Sequence, residues 1–129
     1  MHYIPMHGAR QVVRERQLAE IRKEINECLY ESALFAEWLS NRDELGNLGK
    51  AGVSIFEPLA QFLQSKTGYE CEVLGDTSVR VQSMAEKSLS QEIDLPGWAI
   101  RYLKTITQNG KKYGDSITAK DCLFAIEQG

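Results

Sequence analysis

From Arg10 to Leu45 the chain runs without a glycine or a proline, and Leu18, Ile21, Ile25, Cys28, Ser32, Phe35 and Leu39 recur through it at alternating steps of three and four. Only a helix brings such positions onto one narrow face. The spacing therefore predicts a single long helix of about 30 residues. Leu29, Ala33 and Ala36 widen its face, while Cys28 and Ser32 are too small and polar for the seam of an independent coiled coil. A stripe of this length has to be covered, either by the rest of the chain or by a partner.

The run "GNLGKAG" ends that helix, since Gly46, Gly49 and Gly52 free the backbone to turn. In "SIFEPLAQFLQSKTG" Ser54 and Glu57 are spaced as a capping box, Ile55, Leu59 and Phe62 share a face, and Gly68 stands where a helix would stop. Pro58 moves the expected start a residue or two along. "YECEVLGDTSVRVQ" then alternates with the period of a strand pair. A two-residue loop would scramble its apolar side. A three-residue loop from Gly75 to Thr77 sets Val73 against Val79, Cys71 against Val81 and Glu72 against Arg80, and that register is expected. A lone hairpin is marginal, so it must lie on the helices.

"SMAEKSLSQEI" reads as a short helix before Asp94 and Pro96 reset the chain. Leu95, Trp98, Ala99, Tyr102, Leu103 and Ile106 then share a helical face that Asn109 and Gly110 would close, and "KKYGDS" reads as a turn. In the closing "SITAKDCLFAIEQG", Thr118 and Asp121 form a capping box, with Ile117 and Cys122 placed as a hydrophobic staple. The helix they open is too short to persist in water alone and must dock on its predecessor. The expected class is α+β and predominantly helical: a long first helix, a second helix, one hairpin over about 69–82 and two or three short helices near the end. Residues 1–129 read as one domain, with 1–9 a mobile leading segment.

With 43% apolar residues a chain of 129 can bury roughly two thirds of its unfolded surface. A net charge of −3 lacks the basic balance of proteins that live on phosphate backbones. Cys28, Cys71 and Cys122 are odd in number and far apart, which suggests neither a disulfide framework nor a zinc site and fits a reducing compartment. "MHYIPMHGAR" lacks the apolar stretch of a signal peptide, and no run approaches the 18 or so apolar residues that span a bilayer. A cytoplasmic location without membrane contact is expected. His2 and His7 are the only histidines and stand together near the start, so neither a nucleophile's base nor a metal or cofactor site is expected. The glycines around Lys50 fail the phosphate-loop pattern, because Glu44 and Ala51 occupy positions that need Gly and Ser or Thr.

"ITAKDCLFAIEQ" resembles the last loop and helix of histone-fold proteins, and "GKAGVSI" with the strands that follow resembles the heart of a KH domain. The KH resemblance implies that Gly49 to Gly52 form the loop that clamps nucleic-acid backbone, with Lys50 on a phosphate. Together with Lys104, Lys111 and Lys112, in a stretch from 96 to 129 holding five basic residues against three acids, this gives one functional reading: a small nucleic-acid-binding module. The overall charge disfavours it. A third class, a small-ligand binder or enzyme, has no residue to support it.

The leading expectation is a non-enzymatic regulatory or adaptor protein acting through helix-mediated protein contacts, with Leu18, Ile21, Ile25, Phe35 and Leu39 as its interface. Charge along the helix supports a self-partner. Arg10 to Lys23 holds five basic and two acidic residues (+3), whereas Glu24 to Glu44 holds one basic and six acidic (−5). That order opposes the helix dipole. An antiparallel homodimer would set each basic start beside an acidic end.

Overall fold

The computed structural model of the chain describes residues 6–50, 53, 55–108 and 114–128. Helix α1 spans Met6–Cys28 and helix α2 Ser32–Ser40; strand β1 is Gly49–Lys50 and helix α3 Pro58–Thr67. Strands β2 (Glu70–Leu74), β3 (Ser78–Gln82) and β4 (Ser90–Asp94) follow, then helix α4 (Gly97–Gln108), strand β5 (Ser116–Ile117) and helix α5 (Ala119–Gln128). The α+β class is as expected. Its elements differ in three places.

The single long helix is two. Leu29 closes the last turn of α1, Glu31 is extended at φ −147°, and α2 sets off in a new direction. No glycine or proline causes this; tertiary packing does. The Trp98 indole N–H donates to the Leu29 carbonyl at 2.8 Å, which helps to end the helix where its last carbonyls would otherwise lack partners. Beyond the break, Phe35 lies within 5.1–6.2 Å, ring centre to ring centre, of Trp38, Phe62, Trp98 and Tyr102. A straight helix would have carried Phe35 and Leu39 along the α1 axis and away from that cluster. At its other end α1 begins at Met6, so part of the leading segment expected to be mobile is helical.

The second difference is β4. The stretch expected as a short helix forms a turn, in which Ser83 Oγ accepts from the Glu86 N–H and the Ser83 N–H donates to Leu89, followed by a strand on β3. Serine side chains that bond their own backbone compete with helix formation. Ile93 then falls opposite Val79 and extends the apolar side of the sheet. The sheet order is β2-β3-β4, all antiparallel, and the third strand supplies what a lone hairpin lacks. Between β2 and β3 the expected register holds: Cys71 opposite Val81, Glu72 opposite Arg80, Val73 opposite Val79, with Gly75 at φ +61° in the three-residue loop.

The third is the pairing of β1 with β5, Gly49 opposite Ile117 and Lys50 opposite Ser116, which joins the loop after α2 to the entry of α5. Here only glycine fits at 49, since a Cβ would lie 2.1 Å from the Phe56 carbonyl oxygen.

Other boundaries follow sequence chemistry. Pro58 sits at the first position of α3, where its missing N–H costs nothing, and Glu57 is itself the cap. Ser54, its expected partner in a capping box, lies outside the described residues. Gly68 ends α3 at φ +79°, its N–H donating to Gln64. The box that opens α5 is formed: Thr118 N–H donates to Asp121 Oδ2 at 2.9 Å and Asp121 N–H to Thr118 Oγ1 at 3.1 Å. Helix α5 docks on α4, as expected, and on α2 as well. Helix α1 packs on α3 and β4, and α3 on β2, so one apolar cluster is filled from helices on one side and from Cys71, Val73, Val79, Val81 and Ile93 on the other.

Candidate interaction surface

The inner stripe of α1 and α2 belongs to this core. Ile21, Ile25, Phe35 and Leu39 are buried within the chain, and Leu18 is partly covered at the margin. Of the lysines, Lys50 is exposed on β1 and Lys104 on α4, while Lys111 and Lys112 lie outside the described residues. Lys50 is thus in a strand rather than in the tight loop between two helices that the KH resemblance implied. Helix α4, which precedes the stretch that resembles a histone-fold closing helix, is 12 residues long. Of the aromatics on α4 and α5, Tyr102 is buried and Trp98 partly so, whereas Phe124 is half-exposed.

Two features stand out from the geometry. The first is an open groove of about 1030 Å³ along the outer side of α1, reaching over the break to the start of α2. Leu18, Ala19, Tyr30 and Leu34 supply its apolar floor, and Glu15, Arg22, Lys23 and Glu27 its charged borders. Tyr30 is 83% exposed and Leu34 is exposed at 38%, although both are large apolar side chains. The groove is held in place from beneath: Gln91 of β4 donates to the Leu18 carbonyl at 2.7 Å and accepts from Arg22 Nε at 3.2 Å, so the edge strand fixes α1 against the sheet. Farther out, Arg14 donates to the Ser88 carbonyl at 2.6 Å, while Val12 and Val13 remain half-exposed.

The second feature lies inside. Glu57 is buried at the start of α3; Leu59 N–H donates to its Oε2 at 2.5 Å and Tyr102 O–H to its Oε1 at 2.7 Å. Tyr102 Oη is 3.3 Å from Cys122 Sγ, and with its proton given to Glu57 it accepts from the thiol. This chain of contacts links α3, α4 and α5. Burial raises the Glu57 carboxyl from its usual 4.5 to about 7, opposed by the hydrogen bonds it receives from Tyr102 and from the backbone. Burial also drives the Tyr102 hydroxyl and the Cys122 thiol upward. A thiol held neutral and enclosed is a poor nucleophile. Cys71, pushed up to about 12 by burial, is equally inert.

Sequence reasoning reached Glu57 only as a capping partner. The signal available was an acid set between Phe56 and Pro58 inside an apolar run, where a solvated position is hard to find. The groove was missed because, apart from Leu18 at the margin of the regular stripe, its residues lie off that stripe and follow no apolar period. Among the described residues no group of three or more His, Cys, Asp or Glu side chains is placed to hold a metal ion, and no helix is long and apolar enough to cross a membrane. The fold and this surface define a small α+β protein with an open, mixed-charge groove on its first helix. Compared with protein-family models, curated proteins and solved structures, the chain matches none.

Proposed function

We propose that this chain is a small, cytoplasmic, non-enzymatic regulatory or adaptor protein that works through helix-mediated protein contacts, its binding face being the outer groove of α1 and α2. The observation that carries the reading is the exposure of Tyr30 and Leu34 at the end of a groove whose floor is apolar and whose borders carry both signs of charge. Exposed tyrosine beside small and aliphatic residues, rimmed by charge, is the composition of protein-binding surfaces. The inner stripe, spent on the core, supports this role indirectly by making α1 a rigid platform. An amphipathic helix or extended segment of a partner suits the dimensions of the groove.

The test is affinity isolation from the native host with the wild-type chain and with a Tyr30→Asp, Leu34→Asp variant. Partners held by the groove are lost with the variant while its circular dichroism and thermal midpoint stay near wild type. Retention of the same partners by a folded variant refutes the assignment.

A further inference from the structure

The outer side of α1 carries a second periodic stripe, distinct from the buried one. Val12, Arg16, Ala19, Lys23, Asn26 and Tyr30 follow steps of four and three, and every one of them is exposed. The residues are too polar to form a core on their own but are arranged as the seam of a helix pair, with the small Ala19 near its middle where two backbones can come close. Charge along α1 itself is segregated, +3 over Arg10 to Lys23 and −2 from Glu24 to Cys28.

We infer that the groove's occupant is a second copy of this chain, laid antiparallel so that the outer stripes of two α1 helices meet across a two-fold axis near Ile21 and Arg22. The inference rests on the groove being the binding face. An antiparallel pair brings opposite one another residues whose numbers have a constant sum. At one register Arg16 faces the partner's Glu27 and Glu20 faces the partner's Lys23, and both pairs sum to 43. Symmetry repeats each pair, giving four opposite-charge contacts from a single alignment. Within one residue of that alignment Val12 comes over the partner's Tyr30, so the half-exposed valine and the most exposed large apolar side chain among those described cover one another. A two-fold contact must be self-complementary, and a helix with a basic start and an acidic finish meets that requirement only in the antiparallel sense. A parallel pair would oppose like charges throughout.

This differs from pairing through Leu18, Ile21, Ile25, Phe35 and Leu39, most of which the core occupies. The surface engaged is one helix face, which places the dimer among weak, salt-sensitive associations with Kd of roughly micromolar order.

Sedimentation equilibrium of the full chain in low and high salt, on wild type, Arg16→Glu, Glu27→Arg and the double variant, tests the inference. The native chain is expected to dimerise in low salt and to dissociate as salt screens the pairs. Either single reversal creates two like-charge contacts per dimer and weakens association about tenfold or more, whereas the double reversal restores opposite charges and returns Kd to within about threefold of wild type. Both altered positions, each opposed by the other in the pair, are on the exposed side of α1, and circular dichroism verifies that each variant folds. A native chain that is monomeric at tens of micromolar in low salt overturns the inference, as does a dimer indifferent to the single reversals or a double variant no better than either single. Failure here is separable from failure of the groove reading: a monomer that loses heterologous partners on Tyr30→Asp, Leu34→Asp substitution keeps the groove and discards the second copy.

Discussion

Replacing Glu57 by Gln should remove most of the pH dependence of stability between pH 5 and 8. The carboxyl is enclosed between α3, α4 and α5 and its pKa is raised from 4.5 to about 7. An acid whose folded pKa lies above its unfolded value prefers to be protonated in the fold. Its neutral form therefore contributes fully below about pH 4.5, and that contribution is lost as pH rises through 7. A difference of about 2.5 units corresponds to about 3 kcal/mol across the window. Glutamine reproduces the neutral acid: its oxygen accepts from Leu59 N–H and its amide donates to Tyr102 Oη, which then gives its own proton to Cys122 Sγ. Urea unfolding at pH 5, 6, 7 and 8 should show the wild type losing about 3 kcal/mol while the variant changes by less than about 1. Near pH 5 the two should match, and at pH 8 the variant should be the more stable. Equal pH slopes for the two proteins would refute the reasoning, because the ionisation of Glu57 would then be uncoupled from folding.

Phe35→Ala should cost about 3 to 5 kcal/mol in urea unfolding, since Phe35 is fully buried and central to the aromatic cluster that turns α2 away from α1; a loss under about 1 kcal/mol would show the cluster to be loosely packed. Thr118→Ala removes one of the two reciprocal bonds that open α5 and should cost about 1 kcal/mol by the same measurement. An unchanged midpoint would mean that Asp121 alone suffices as the cap.

What could be read from the residues was what local chemistry decides. The register of β2 and β3 followed from requiring Cys71, Val73, Val79 and Val81 to share a side. The α5 cap followed from the spacing of Thr118 and Asp121, and the α4 face from the six apolar positions that begin at Leu95. The parts that escaped are decided by contacts between distant segments. The break after Leu29 depends on an indole 69 residues further along the chain, and α2 turns to place Phe35 among rings from α3 and α4. Strand β4 depends on β3 offering Val79 to Ile93, which outweighs the weak helical preference of a serine-rich stretch. The β1–β5 pair joins two-residue strands too short to carry any period. For the site, periodicity located the face that the chain covers with itself; the face left open has no such regularity in apolar residues, and Tyr30 and Leu34 gain their meaning only from where the α1–α2 break sets them.

The central claim is that the outer groove of α1 and α2 is where this protein meets another protein chain. It is tested most directly by replacing Tyr30 with a photo-reactive phenylalanine analogue, irradiating cells of the native host, and resolving adducts by mass. The same analogue at Glu72, on the outward side of the sheet where Arg80 is its neighbour at 3.8 Å, provides the comparison. Position 30 should give a discrete protein adduct, at twice the chain mass if the partner is a second copy, and position 72 should not. Absence of an adduct at 30, or equal adducts at both positions, would contradict the account.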